Sequence, residues 1–156
     1  FVIPRGLPCQ WIQKGRVRKY YVIYEPKDEP AVDVAALRVV KPEHVRAPAE
    51  SSPPPSAGVL IGPVPKQHGQ DCYVDPSGQF QIGTWDTSYY HRKVVPFPRY
   101  ELMHFLEGSV SITHRDGGTQ TFEAGDTLFI PKGTEADFKI GGDYLRKIYA
   151  IFAPRA

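Results

Sequence analysis

One sequence pattern occurs twice in this chain, and the repeat limits what the chain can fold into. The segment FVIPRG at residues 1–6 returns as LFIPKG at residues 128–133. With a gap of one residue, residues 1–26 align with residues 128–154, and at least eight positions are identical. Such a repeat indicates two copies of one structural unit. We therefore expect residues 1–26 to be the closing strands of a first domain whose front half lies outside this sequence.

The turn-forming residues favour an all-β fold. The 156 residues include 16 prolines and 14 glycines, which interrupt long helices and favour short strands joined by turns. From about residue 73 onward, strand-like runs follow one another with turns between them, as in a sandwich or small barrel. The run SVSIT alternates apolar and polar residues, and the DGG that follows it predicts a hairpin. The run at residues 31–40 fits either a strand or a short helix.

Composition divides the chain into three parts. Residues 1–26 contain two strand-like runs, FVI and RKYYVIYE. Residues 27–72 are expected to be an inter-domain linker, because APAESSPPPSAG at residues 47–58 has three consecutive prolines and no apolar face to bury. The apolar residues 59–65 are expected to dock on the domain that follows. Residues 73–156 are expected to form that domain completely.

Charge and cysteine content argue against several classes of protein. The net charge is +2 and the basic residues are scattered, whereas a nucleic-acid surface needs a concentrated basic patch. Two cysteines, Cys9 and Cys72, suffice neither for a disulfide framework nor for a zinc site. No apolar run approaches the roughly 20 residues that span a bilayer. We expect a cytoplasmic protein without nucleic-acid or membrane partners.

Two short motifs resemble the two-motif pattern of the cupin superfamily. GDTLFIPKG places Gly125, Pro131 and Gly133 in the register of cupin motif two, G-x5-P-x-G-x2-H. YELMHFLEG matches the E-x6-G end of motif one with Glu101 and Gly108. The likeness is greatest to small cupins that include ureidoglycine aminohydrolase-like proteins and ethanolamine-utilisation cupins. It implies an RmlC-like jelly-roll barrel, and with the repeat it implies part of a tandem two-cupin (bicupin) protein.

Most of the metal ligands of that family are replaced. Metal-binding cupins carry His-x-His shortly before the motif-one glutamate, and here VPFP at residues 95–98 occupies that stretch. The motif-two histidine position is Ala136, and in the first copy it is Cys9. Only Glu101 of the expected ligand set remains, whereas a transition metal needs three or four donors. We therefore expect no metal and no other cofactor.

Two histidines near Glu101 are possible replacement ligands. His104 lies three residues after Glu101 on the same predicted strand, so alternation places the two on opposite faces, and a packed or interface histidine is the favoured interpretation. His91 falls in a polar stretch before that strand, where a solvated loop histidine is favoured. The remaining histidines fall in linker or turn context and indicate no site: His44, His68 and His114.

Alternation on the closing strand predicts a polar site inside the barrel. Lys147, Tyr149 and Ile151 share one face, and each recurs in the first copy. If that face lines the barrel, Lys147 can pair with Glu101, since either charge buried alone would be costly. Equally open is an arrangement in which Lys147 extends outward and Glu101 is hydrogen-bonded structurally. The candidate ligand-binding residues are Glu101, Lys147, Tyr149, Trp85, Met103 and Phe138.

Three functions remain open on the sequence. The favoured hypothesis is a metal-free cupin that binds a small polar or anionic metabolite in its barrel. The second is a metal-dependent enzyme of nitrogen or amine metabolism resembling ureidoglycine aminohydrolase, and the third is a structural or dimerisation domain of a bicupin. Catalytic residues are unknown, because no serine, cysteine or histidine has the spacing of a nucleophile–base pair.

Assembly is expected from the unpaired strands at residues 1–25. Strand edges and an apolar face need a partner, so we expect a homodimer or pairing with the missing half of the first cupin. The outer face of the strand YELMHFLEG is a candidate contact surface.

Overall fold

The computed structural model describes residues 1–26, 32–42 and 50–155. His44 and parts of the predicted linker, 27–31 and 43–49, lie outside the described residues. Within the described part of the chain, the named helical elements are two 3-10 turns of three residues each. None of the helices described is long and apolar enough to cross a membrane. All other regular structure is β-strand, which confirms the all-β prediction.

The strands form two antiparallel sheets. In chain order the strands are β1 (Glu50–Ser52), β2 (Gln67–Val74), β3 (Phe80–Ser88), β4 (His91–Pro96), β5 (Tyr100–Glu107), β6 (Ser109–Thr113), β7 (Thr119–Glu123), β8 (Thr127–Ile130), β9 (Glu135–Ile140) and β10 (Tyr144–Phe152). The six-stranded sheet has the order β1-β2-β3-β10-β5-β8, and the four-stranded sheet has the order β4-β9-β6-β7. The two sheets enclose one apolar core as a jelly roll, but their edges do not join into a closed barrel.

The centre of the six-stranded sheet is β10, which pairs with β3 on one side and β5 on the other. Alternate residues of β5 face the core, and Met103 and Phe105 are completely buried there. They meet Val110 and Ile140 from the four-stranded sheet. Full burial of such side chains contributes about 1.5–3 kcal/mol each. The period-two assignment of β5, with Glu101 on the same inner face, is confirmed.

The Pro-rich segment connects the two sheets across one end of the core. β1 pairs with β2 at the edge of the six-stranded sheet. Leu60 is buried and forms an isolated bridge with Arg92 of the four-stranded sheet. We call residues 52–60 the Pro-rich strap. Residues 67–72, which composition assigns to the linker, form the first part of β2 and belong to the folded domain.

Residues 1–26 do not form the predicted strands. Val2 makes one isolated bridge with Val40, and RKYYVIYE at residues 18–25 joins no described ladder. A strand is stable only when neighbouring strands satisfy its backbone groups, and no described strand pairs with residues 18–25. The described part of the run at residues 31–40 forms a 3-10 turn at Val34–Ala36 and that single bridge, so neither a strand ladder nor an α-helix is present there.

Candidate ligand-binding cavity

A cavity of about 630 Å³ lies between the two sheets, beneath the Pro-rich strap. Its walls come from the inner faces of both sheets and from Ser52, Pro53, Pro55 and Val59. Such a volume fits the range of small-molecule sites in proteins. The structure brings all six sequence-predicted residues to this cavity: Glu101, Lys147, Tyr149, Trp85, Met103 and Phe138.

The chemical centre of the cavity wall is an ion pair between Lys147 and Glu101. The side chains lie on the inner faces of β10 and β5, and the whole residues are 7% and 5% exposed. Lys147 Nζ donates to Glu101 Oε1 at 2.7 Å and to Met103 Sδ at 3.1 Å. The ammonium also lies 4.8 Å from the Trp85 ring centre and 5.5 Å from that of Phe138. Lys147 therefore points inward, and the outward alternative is wrong.

The surroundings of the pair decide its protonation. Burial raises the pKa of Glu101, but the positive charges of Lys147, Arg99 and Arg92 outweigh burial and hold that pKa below its usual range. Burial lowers the pKa of Lys147, Glu101 opposes this effect, and the two arginines add to it. The net direction for Lys147 is downward. Glu101 is thus a carboxylate at neutral pH in a site crowded with positive charge.

A second polar contact spans β3 and joins its two neighbours, β10 and β2. Tyr149 donates its hydroxyl hydrogen to Asp71 Oδ1 at 2.6 Å. Burial and this hydrogen bond raise the pKa of Tyr149, so it stays a neutral donor. Gly83 makes the arrangement possible, because a Cβ there would lie 2.4 Å from the Tyr149 hydroxyl and 2.3 Å from the Gln70 carbonyl oxygen.

Sequence reasoning missed two arginines that also line the cavity. Arg99 Nε lies 3.7 Å from Glu101 Oε2; Arg99 stands in the bend directly before β5, and the period of two, extended back from Glu101, points it to the same face. That periodicity could have identified it. Arg92 comes from β4, where its guanidinium lies 4.1 Å from the Phe97 ring centre. No local pattern marks Arg92, because only the packing of one sheet on the other brings it to the cavity.

The neighbours of Glu101 do not fit a metal ion. The side-chain groups in contact with its carboxylate are the Lys147 ammonium and the Arg99 guanidinium, and both carry positive charge. The motif-two position, Ala136, is completely buried and has no donor side chain. Within residues 1–26, 32–42 and 50–155, no group of three or more His, Cys, Asp or Glu side chains could hold a metal. The donor set thus disagrees with the metal chemistry that the fold suggests.

The histidines that form hydrogen bonds in the described part of the chain contact groups other than Glu101. His104 Nδ1 is 3.0 Å from Thr127 Oγ1 on the other face of β5, in agreement with alternation. His91 was expected in a solvated loop, but it begins β4, is only 16% exposed at its side chain and lies 3.3 Å from Asp137 Oδ2. His68 was assigned to a linker or turn, but it lies in β2, because β2 begins earlier than expected. His114 follows β6 at the hairpin, as predicted.

Comparison with known proteins agrees with this architecture. Residues 74–149 match the family model described as the EutQ-like cupin domain. The jelly roll and this match support the cupin-superfamily part of the sequence-based resemblance. The comparison with curated proteins finds no match.

Two solved structures with TM-scores above 0.5 show the same fold. A DUF861-family protein of unknown function from Pseudomonas syringae pv. tomato str. DC3000 is 33% identical with a TM-score of 0.62; the likeness covers 65% of this chain and 43% of that one. The chain thus spans less than half of that relative. A cupin 2 conserved barrel domain protein from Rhodopseudomonas palustris is 14% identical with a TM-score of 0.51, covering 69% and 72% of the two chains. A putative ethanolamine utilization protein Q from Salmonella typhimurium LT2 is 21% identical with a TM-score of 0.48, covering 60% and 72%.

Proposed function

We propose that this cupin domain binds a small polar or anionic metabolite in the cavity between its sheets, without a metal ion. The observation that carries the proposal is the buried ion pair of Lys147 and Glu101 at the cavity wall. Aromatic side chains, Trp85 and Phe138, provide apolar walls beside it. Concave, partly aromatic sites with a few convergent polar groups are typical of small-molecule binding.

Energetics support a role for this pair beyond stability. Removing two charges from water costs several kcal/mol per ion, and well-packed apolar residues in their place are often neutral or stabilising. A jelly roll does not need charges in its core to fold. A charged pair facing a cavity is therefore better explained by a ligand that interacts with it.

The two alternatives make different predictions. A metal-dependent enzyme resembling ureidoglycine aminohydrolase needs donors that the surroundings of Glu101 do not supply. If that alternative held, Mn²⁺ would raise the thermal midpoint and a chelator would reverse the rise. A purely structural domain would bind neither a metal nor a small molecule in the cavity.

Native mass spectrometry and thermal unfolding test the proposal. We expect a co-purified small molecule, or a rise in the thermal midpoint with benzoate or benzamide as probes, since a ligand of the folded state alone stabilises it. Glu101→Gln should remove or alter this binding. The matched control is Glu107→Gln, because Glu107 is exposed and outside the cavity. No co-purified molecule and no response to either probe would overturn the proposal.

For residues 1–26 we propose the role of closing strands in a second cupin unit, as the repeat predicts. Lys19 and Trp11 are the repeat equivalents of Lys147 and Phe138, and Lys19 Nζ lies 4.7 Å from the Trp11 ring centre. The lysine–aromatic contact thus occurs in both copies. The strands that pair with residues 1–26 would come from a second copy of the chain or from the other part of a two-cupin protein.

Light scattering and hydrogen exchange test this assembly. We expect a species larger than the 17.5 kDa of one chain, with slow amide exchange at residues 18–24. A monomer in which these amides exchange as fast as in an unfolded peptide would contradict it.

A further inference from the structure

Arg92 is held inside the domain with its guanidinium at the cavity wall. Its backbone is fixed by β4 and by the bridge to Leu60 of the Pro-rich strap. One face of the guanidinium covers the Phe97 ring at 4.1 Å. Phe97 belongs to the VPFP stretch that stands where metal-binding relatives carry histidines. The stretch that lacks metal ligands therefore packs against a partly buried cation instead.

The Nε and Nη2 groups of Arg92 are buried and have no hydrogen-bond partner within the described residues. The carboxylates around Arg92 are already engaged. Asp137 accepts from the Thr113 backbone N–H at 2.7 Å and contacts His91 at 3.3 Å. Glu101 accepts from Lys147. An arginine edge with two unpaired N–H groups is costly, and a pair of acceptor oxygens would relieve that cost.

The charge balance of the cavity wall favours an anion as the source of those oxygens. Three cationic side chains line the cavity, Arg92, Arg99 and Lys147, against the carboxylates of Asp71 and Glu101. Arg92 and Arg99 each lower the pKa of Lys147, so the three cations lie close enough to repel one another. A bound anion would reduce this repulsion.

We propose that Arg92 and Arg99 form an oxyanion subsite, and that the ligand of this cavity carries a carboxylate or phosphate group held by the Nε–Nη2 edge of Arg92. This inference rests on the proposed function and specifies the ligand's chemical class. The planar guanidinium fork matches two oxygens of one oxyanion, which a lysine ammonium cannot do. Both N–H groups are covered in the structure, so binding includes a side-chain movement that opens this edge.

Matched probes test the inference on the unaltered protein. Benzoate and benzamide have nearly the same shape and differ in charge, and inorganic phosphate represents the other oxyanion. We expect benzoate or phosphate to bind at least tenfold more tightly than benzamide by isothermal titration calorimetry at low salt. Tighter binding of benzoate assigns a carboxylate ligand, and tighter binding of phosphate assigns a phosphate ligand. Equal or tighter binding of benzamide overturns the subsite but leaves the proposed function standing. No binding of any probe overturns the subsite, and it overturns the proposed function as well if no small molecule co-purifies.

Three arginine variants locate the subsite. Arg92→Lys keeps the charge and should weaken oxyanion binding at least tenfold, because the two-pronged contact is lost. Arg99→Gln should weaken it less. Arg115→Gln is the control for Arg99→Gln, because it removes the same charge from an exposed arginine that pairs with Glu135 and does not line the cavity. Unchanged oxyanion affinity in Arg92→Lys would overturn the assignment to Arg92, and the probe comparison stands even if a variant does not fold.

Discussion

The two copies of the repeated segment have the same sequence pattern and different structures. Residues 128–154 contain β9, β10 and all but the first residue of β8, and β10 lies inside the six-stranded sheet between β3 and β5. Residues 1–26 contain no named strand. Equivalent residues differ accordingly: Ile151 is 3% exposed and Ile23 is 74% exposed. A strand sequence therefore does not become a strand without neighbours that pair with it.

The turn inside the repeat behaves differently from the strand. The N–H of Leu7 donates to the Pro4 carbonyl at 3.2 Å, and the N–H of Thr134 donates to the Pro131 carbonyl at 3.2 Å. The glycines of the two turns have φ values of +84° and +86°. A proline-then-glycine turn needs only its own residues, because proline fixes φ and glycine accepts the left-handed conformation. The turn therefore forms in both copies from local residues, whereas the strand forms only in the copy that has neighbouring strands.

The largest difference between the copies is expected at the repeated lysine. Lys147→Met removes the ammonium that donates to Glu101 and leaves the buried carboxylate with only the more distant charges of Arg99 and Arg92, so it should reduce the free energy of unfolding by about 3–5 kcal/mol. In a dilute sample, Lys19→Met should change it by less than about 0.5 kcal/mol, since Lys19 is exposed in the single chain. Urea unfolding of both variants measures the contrast. Combining Glu101→Gln with Lys147→Met should recover part of the stability lost in Lys147→Met. Equal losses of unfolding free energy in Lys147→Met and Lys19→Met would contradict the structure.

The repeated isoleucine gives the next contrast. Ile151→Ala removes a buried side chain of β10, the strand between β3 and β5, and should cost about 2–5 kcal/mol of unfolding free energy. Ile23→Ala should cost less than about 0.5 kcal/mol in a dilute sample. If the loss at Ile23 grows with protein concentration, then residues 18–24 are buried in an assembly. A large loss at Ile23 that does not depend on concentration would show that this segment packs within one chain.

The ion pair also predicts a dependence on pH. The folded-state pKa of Glu101 lies below its unfolded value of about 4.3, so the unfolded chain binds more protons in the interval between them. The stabilisation by the carboxylate is complete above the unfolded pKa and is lost as the pH falls through the folded pKa. Unfolding free energies measured from neutral to acidic pH should show a shallower acid decline in Glu101→Gln. Glu107→Gln and Lys19→Met should keep the wild-type decline.

The smallest effects are expected at the turn glycines. Gly133→Ala places a side chain in the left-handed conformation and should cost about 1 kcal/mol, with no clash because nothing lies within 4 Å of the added Cβ. Gly6→Ala carries the same local strain, but its turn adjoins no ladder of the folded domain, so the midpoint of urea unfolding should barely move. An equal fall in both variants would show that the first turn belongs to the cooperative unit.

Much of the fold followed from residue patterns. Alternation placed Glu101, Met103 and Phe105 on one face of β5, and DGG marked the β6–β7 hairpin, because both depend on neighbouring residues. Alternation alone did not decide whether Lys147 points inward, because that orientation depends on the pairing of β10 with β3 and β5. His91 was misassigned, because its burial depends on β9, which lies far from it in the sequence.

The resemblance to cupins implied the loss of the metal ligands. By itself, the sequence determined the alternation of β5, the proline–glycine turns and six residues that could face a lumen. These features depend on residues within a few positions of one another or on residue chemistry alone. Only the tertiary structure decided that β10 is a strand while its repeat is not, that Lys147 meets Glu101, and that Arg92 joins them across the cavity. Those outcomes depend on pairing and packing between distant segments, which sum many weak contacts that no local pattern encodes.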